Sequence, residues 1–388
     1  MTSEAHLHEA GHARRVQEAL RARIDAAGGW LAFDAYMDLV LYAPGLGYYS
    51  AGASKLGAGG DFTTAPEISP LFGRCLARHC AEVLAALPDG GDVLELGGGT
   101  GRLAYDVLAT MASIGTLPVR YRILEVSADL RERQRALLGS LPADLAARVE
   151  WIDTPPAEGW RGALLANEVL DALPVECFAW RGGAVFERGV ALDEQGAPTW
   201  AERPARPRLA AEVHRIRADA GVEWPDGYLS ELCLRAGPWI GEVTRTLQQG
   251  VALFIDYGLA RREYYDPRRS TGTLRCHYRH RAHEDPFAYP GLEDISAWVD
   301  FTRVAEGADA AGLDVLGYTT QAALLLGLGI EGEVAGAPDD VMRFRRASEA
   351  RQLLMPQEMG ETFKAIALGR NWDAPLSGLA HQDLTARL

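Results

Sequence analysis

Three stretches of this chain combine residue types and spacings that can do chemistry. The first is Val93-Leu94-Glu95-Leu96-Gly97-Gly98-Gly99-Thr100-Gly101-Arg102-Leu103, followed later by Glu125 at the end of Tyr121-Arg122-Ile123-Leu124. It reads as a buried strand, a glycine turn, a helix start and a second strand closed by a carboxylate. Gly97, Gly99 and Gly101 remove Cβ atoms where backbone must pass close to a ligand and turn into a helix. Arg102 breaks the dinucleotide pattern Gly-x-Gly-x-x-Gly, in which the last glycine allows close helix–strand packing beside a pyrophosphate. S-adenosylmethionine carries no phosphate and tolerates that departure. Glu125 suits a ribose diol, because an ionised carboxylate accepts two hydroxyl donors at once. Glu95 suits the amino group of a methionine moiety, and Asp153, just after the third strand, the adenine amino group. The motif favours S-adenosylmethionine; the alternatives are a nucleotide, or a plain turn with Glu125 facing solvent.

The second stretch, Asn167-Glu168-Val169-Leu170-Asp171-Ala172-Leu173-Pro174, follows a buried strand directly. Ligands of open parallel sheets sit outside the carboxyl ends of the strands, so Asn167, Glu168 and Asp171 should approach the same crevice. On a helical turn Glu168 and Asp171 share a face and can clamp a guanidinium, whose planar fork matches a carboxylate. The plainer alternative is an asparagine cap followed by solvated acids. The third stretch is Asp61 to Pro70, where Asp61, Thr64 and Glu67 form a polar segment suited to covering a cofactor crevice; Glu67 also reads as an ordinary first-turn helix acid. Asp256-Tyr257-Gly258 ends the fifth strand and belongs to the same rim, to orient a substrate or to bond a loop. His277, His280 and His283 recur every third residue in a polar, aromatic stretch. With no acidic ligand in register, this reads as a substrate-facing loop, and no metal is expected.

Strands at 93–96, 122–125, 148–152, 162–166 and 251–255, with helices at 102–113 and 129–139, give the alternation of an α/β fold with a doubly wound, mostly parallel sheet. Helices are expected over 12–27, 33–42, 71–87 and 237–249, and two final strands near 313–318 and 363–368. The gap between the fourth and fifth strands is too long for a crossover. Residues 174–235 therefore read as an inserted α+β subdomain with a proline-rich turn at 198–207. The expected organisation is an N-terminal helical and lid region (12–87), a cofactor-binding half (88–173), the insertion (174–235), the rest of the core with a substrate-facing loop at 259–300 (236–369), and a tail (370–388).

The chain has 388 residues and a net charge of −14, which argues against a general nucleic-acid surface. Cys75, Cys80, Cys177, Cys233 and Cys276 are odd in number and scattered, as in a reducing compartment without disulfides. The first residues resemble neither a signal nor a transit peptide, and no run is apolar enough to span a membrane. A cytoplasmic protein is the expectation, with oligomeric state left open and a homodimer included.

Taken in order, the motifs resemble those of the MidA/NDUFAF7 group of S-adenosylmethionine-dependent methyltransferases. The matching residues are Tyr42-Ala43-Pro44-Gly45-Leu46-Gly47-Tyr48-Tyr49, Gly60 to Ser69, Glu95 to Gly101, Asn167 to Pro174, Ile255-Asp256-Tyr257-Gly258 and Gly272-Thr273-Leu274-Arg275. The resemblance implies a class I (Rossmann-like) methyltransferase fold with an N-terminal extension and an insertion. It also implies an arginine acceptor on a protein, such as a respiratory NADH dehydrogenase (complex I) subunit. S-adenosylmethionine would be held by Thr64, Glu95, Gly97, Gly99, Gly101, Glu125, Asp153 and Asn167. Glu168 first, then Asp171, Asp61, Glu67, Asp256 and His277, would serve the acceptor. A small-molecule methyltransferase and a non-catalytic assembly factor that retains the cofactor pocket are the rival readings.

Overall fold

A computed structural model describes residues 3–50 and 64–388, with side chains from residue 9 onward. The main sheet is built from β1 (Asp92–Leu96), β2 (Tyr121–Leu124), β3 (Val149–Ile152), β4 (Trp160–Asn167), β5 (Leu247–Leu259), β6 (Asp314–Thr320) and β7 (Phe363–Arg370). Their spatial order is β3-β2-β1-β4-β5-β7-β6. The first five strands in that order pair parallel, while β7 runs antiparallel to both β5 and β6. The central strands read as unbroken apolar runs because helices cover both faces. On one face Phe72, Leu76 and Val83 of the helix Pro70–Ala85 pack with Leu103 and Val107 of Arg102–Ser113. On the other, Ile240 and Val243 of Ala236–Thr244 pack with Val304 and Ala308 of Phe301–Ala310.

A second layer is assembled from distant parts of the chain. The strands Glu176–Arg181, Ala184–Leu192, Pro198–Pro204 and Tyr228–Leu232 make a sheet that Leu31–Ala32 joins through Leu31 opposite Val190. Val16, Leu20 and Ile24 of the helix Ser3–Ala26 share one core with Val175, Cys177, Val190, Cys276 and Ile295. The N-terminal extension therefore packs with the insertion and with the 272–297 region, whereas the helix Pro70–Ala85 belongs to the cofactor core. The segment 12–87 is thus divided by packing.

Three other expectations are corrected. The proline-rich stretch at 198–207 is the edge strand Pro198–Pro204, paired on one side only, and the prolines fall at its two ends where no ladder donor is lost. The 259–300 stretch contains a three-stranded sheet, Arg275–Tyr278, Arg281–His283 and Asp294–Ser296. The 370–388 tail is tied down: Leu384 N–H donates to Tyr318 O at 2.7 Å and Gln382 Oε1 accepts from Thr320 N–H at 3.1 Å.

Candidate active site

The sheet order reverses between β1 and β4, and a cleft of about 260 Å³ opens at the carboxyl ends of these strands. Its floor is the glycine turn. Gly97, Gly99 and Gly101 adopt φ of +66°, +52° and +88°, which side chains rarely take. Gly101 then caps the helix Arg102–Ser113, and a Cβ there would stand 3.2 Å from Gln134.

Gln134 organises this half of the site. Its Nε2 donates to Gly99 O at 2.8 Å and to Glu125 Oε2 at 3.2 Å, and its Oε1 accepts from Trp151 Nε1 at 2.8 Å. One fully buried amide thus joins the glycine turn, the carboxylate after β2 and an aromatic side chain of β3. Glu125 Oε1 also accepts from Ser127 N–H at 2.9 Å. Burial pushes the Glu125 pKa up, against the pull of these donors. Glu95, on β1, accepts from Tyr121 OH at 2.7 Å, and burial pushes it to about 7. Thr64 and Glu67 line the cleft from the short helix Ala65–Ile68 and the residue before it, and Glu67 accepts from the Thr100 hydroxyl.

The opposite half is built on the turn after β4. Glu168 holds a φ of +54°, a left-handed backbone for a bulky residue, and its N–H donates to Ile255 O at 2.9 Å. Asp256 explains how that turn is held. Its Oδ2 accepts from the N–H groups of Val169, Leu170 and Asp171 at 3.1, 2.9 and 3.2 Å, and its Oδ1 from Tyr257 N–H at 2.9 Å. Burial, then the neighbouring Asp171 and Glu168, push the Asp256 pKa well up, and the backbone amides pull against that rise. Burial and then Asp171 raise Glu168 to about 8, and Asn167 Nδ2 donates to its Oε1 at 3.1 Å. Asp171, raised to about 6 by burial, accepts from Tyr257 OH.

Tyr42 and Tyr49 close this side. Their rings stack at 5.5 Å, the Tyr42 hydroxyl donates to Ala172 O at 2.7 Å, and the Tyr49 hydroxyl donates to Asp294 Oδ1 at 2.7 Å. Tyr42 ends a π-turn, Asp38–Tyr42, a distortion often found at functional sites.

Not every expected residue reaches the cleft. Thr64, Glu67, Glu95, Gly97, Gly99, Glu125, Asn167 and Glu168 line it. Gly101 shapes the turn from below, and Asp171 and Asp256 stand behind Glu168 in the packed interior. Asp153 is corrected: its side chain is 85% exposed and paired with Arg131 at 2.6 Å, so it faces solvent beyond the rim. His277 is also corrected, since it lies in the strand Arg275–Tyr278 of the separate small sheet and does not line the cleft. Asp61 falls outside the described residues. Gln134, within a helix, and Trp239, which lines the cleft, are not among the expected site residues. The tyrosines entered only through a motif, although a tyrosine-rich run beside the Pro44-Gly45 turn was a usable signal.

The cleft chemistry discriminates between cofactors. Among the described residues, Glu67, Glu95, Glu125 and Glu168 line it against one cation, Arg102, which is itself paired with Asp106 at 2.8 Å. Carboxyl groups that a bound cation would draw toward their anionic forms suit a sulfonium and an ammonium better than a pyrophosphate. Asn167 Oδ1 is buried with no hydrogen-bond partner, an acceptor waiting for a donor. Leu96, Leu103, Leu124 and Leu130 give apolar walls for a purine. These residues fit S-adenosylmethionine.

Fold and cleft together define a class I, S-adenosylmethionine-dependent methyltransferase. Comparison with known proteins agrees. Residues 75–319 match a family model described as S-adenosyl-L-methionine-dependent methyltransferase, and the chain belongs to that family. The mitochondrial protein arginine methyltransferase NDUFAF7 of Rattus norvegicus is 29% identical over 93% of this chain and 85% of its own length. The Mus musculus counterpart is 30% identical over 86% of this chain and 79% of its own. A protein of Burkholderia thailandensis solved bound to S-adenosyl-homocysteine is 44% identical, covers 97% of each chain and superposes with a TM-score of 0.92.

The cytoplasmic expectation is overturned by these relatives, which carry the mitochondrial designation. It rested on scattered cysteines and on first residues unlike a targeting peptide, and free thiols do not distinguish one reducing compartment from another. Among the described residues no helix is long and apolar enough to cross a membrane.

Proposed function

We propose that this protein transfers a methyl group to a guanidinium nitrogen of an arginine in a protein substrate. The observation that carries this reading is Glu168: a carboxylate raised to about 8, held in left-handed backbone at the cleft, beside Tyr42 and Tyr49 and in front of Asp171 and Asp256. Backbone strain retained by a network of buried bonds is a mark of functional sites. A cationic, planar side chain supplies the partner that this acidic and aromatic wall lacks. The relatives named protein arginine methyltransferases support the same acceptor class.

Bound S-adenosylmethionine supplies an electrophilic methyl on a positively charged sulfur. Asn167 and Glu95 would hold its amino-acid end and Glu125 its ribose. Tyr42 and Tyr49 would flank the incoming guanidinium, leaving one nitrogen facing the cofactor. Glu168 meets the cation as an anion, because a positive neighbour draws its raised pKa back down. It would concentrate charge on the far nitrogens and accept the N–H proton lost as the new N–C bond forms and the methyl–sulfur bond breaks, the electron pair staying on the sulfur of the S-adenosylhomocysteine released. A respiratory NADH dehydrogenase subunit is the first acceptor to examine.

The test incubates purified protein with methyl-labelled S-adenosylmethionine and lysate from cells lacking the gene, and locates the label by mass. Label on arginine of one protein, absent with Glu125→Ala, is expected. Label confined to a metabolite, or none despite tight cofactor binding, overturns the proposal.

A further inference from the structure

The small sheet beyond the cleft brings together three side chains that methyl transfer does not use. In the pairing of Arg275–Tyr278 with Arg281–His283, Cys276 stands opposite His283, and Glu293 immediately precedes the third strand, Asp294–Ser296. The Cys276 Sγ, a ring nitrogen of His283 and a carboxylate oxygen of Glu293 all lie within 4.8 Å of one another. Cys276 and Glu293 are both 0% exposed, whereas His283 keeps 26% of its side chain open. We propose that Cys276, His283 and Glu293 bind a zinc ion, with water in the fourth position on the open side.

A thiolate, an imidazole and a carboxylate form a borderline donor set that suits zinc rather than calcium or magnesium. Ligand atoms about 2.0–2.3 Å from a tetrahedral zinc stand roughly 3.3–3.8 Å from each other, so the His283–Glu293 pair at 3.0 Å would open a little and the wider separations, within 4.8 Å, would close by up to about 1 Å. The contact between His283 and Glu293 gives a second, independent indication. Nε2 and Oε2 are 3.0 Å apart, yet both atoms are buried without a hydrogen bond of acceptable geometry. In the tautomer protonated at Nδ1, Nε2 and the carboxylate oxygen each present a lone pair, and a cation between them would satisfy both. Zinc binding would displace the thiol proton to solvent, so that Cys276 would ligate as a thiolate.

The ion would act as a clasp. It would fasten the 275–283 hairpin to the chain before 294, where Tyr278 stacks on Tyr289 at 4.1 Å and His12 Nε2 lies 3.3 Å from Gly291 O. The acid that three histidines lacked in sequence register is supplied across the sheet by Glu293.

The test uses tag-free, full-length protein stripped with a chelator. Zinc should bind one to one in competition with a chromophoric chelator. Cobalt(II) should give a thiolate charge-transfer band with the visible bands of a four-coordinate ion. Cys276→Ser should abolish the charge-transfer band, Glu293→Gln should weaken binding of both metals, and Cys233→Ser should change neither. Circular dichroism of each variant distinguishes lost ligation from lost fold, and a folded Glu293→Gln protein suffices if Cys276→Ser does not fold. No stoichiometric zinc, or cobalt bound without a thiolate band, overturns the proposal and leaves a buried histidine–glutamate contact.

Discussion

Glu168 stands at a φ of +54° with a carboxyl that burial and Asp171 push to about 8, two costs that a residue of no use would shed. Glu168→Gln keeps size and hydrogen bonding but cannot take a proton. Its kcat should fall roughly 10²–10³-fold while cofactor affinity is unchanged, as measured with labelled cofactor and titration of S-adenosylhomocysteine. The pH profile adds a sign: wild-type rate should rise with pH as Glu168 ionises, and the variant's should not. Glu168→Gly is a contrasting case. It relieves the backbone and removes a desolvated acid that borders an open cleft, so no cavity forms. At pH 8 it should be more stable by about 1 kcal/mol and inactive, whereas a less stable variant would show that the turn depends on the side chain. Gln134 acts through others. Gln134→Leu deprives Glu125, Gly99 and the Trp151 indole of one shared partner, and S-adenosylhomocysteine affinity should drop about tenfold or more in calorimetry with kcat nearly intact. The carboxylates were legible in sequence because acids at strand ends announce themselves. Gln134 was not, since a polar residue inside an amphipathic helix reads as a solvated face. Asp153 was misread because a position after a strand fixes proximity to the rim and not the direction of the side chain.

Elements whose hydrophobic pattern was long and bounded by glycine emerged close to their expected limits. The helix Arg102–Ser113 and the strand Asp92–Leu96 are examples, because burial on both faces leaves little freedom of register. The insertion was harder to read. Its edge strand Pro198–Pro204 carries prolines that mark turns elsewhere, and the helix Pro207–Ala220 begins immediately beyond it. The assembly of Leu31–Ala32 onto Ala184–Leu192 is a long-range pairing that no local period encodes. One element-scale device carries a clear prediction. Asp92, Gly162 and Gly250 sit side by side at the start of β1, β4 and β5, and both glycines have φ of +143°. A Cβ on Gly162 would lie 1.8 Å from Asp92 O, against backbone that cannot give way. Gly162→Ala should cost more than about 3 kcal/mol in urea titration or prevent folding. Gly182→Ala, at φ +55° with nothing within 4 Å, should cost only about 1 kcal/mol. Equal costs would mean that the β1-β4-β5 start yields more easily than its close contacts indicate.

The whole molecule is acidic, at −14, and its buried acids are distributed unevenly in a way that sets its response to pH. Burial is the leading cause for Glu95 and Glu176, each near 7, and for Glu168 and Glu293, each near 8. In the unfolded chain these groups titrate near 4.5, so between about pH 4.5 and 8 the folded state binds more protons. Stability must therefore fall as pH rises through that window, each group contributing on the order of a few kcal/mol at most. Glu306 works in the opposite sense. Burial raises it, but Arg261 and Arg215 outweigh burial and hold it near 2, so its contribution is present above about 4.5 and lost as pH falls toward 2. The two slopes place the stability maximum of the ligand-free, metal-free protein near pH 5, on the acid side of neutrality. Denaturant midpoints taken across pH 4 to 8.5 check this, and a flat profile from 5 to 8 would show that the buried acids titrate as ordinary surface groups. Ligands should reshape the alkaline side in separable ways. Saturating S-adenosylhomocysteine adds about 2.7 kcal/mol at a hundred times its Kd. Zinc should stabilise more as pH rises, because its ligands must lose protons to bind it, and so should flatten the alkaline slope. An alkaline slope unchanged by zinc but raised bodily by S-adenosylhomocysteine would support the cofactor cleft and leave the Cys276–His283–Glu293 site empty.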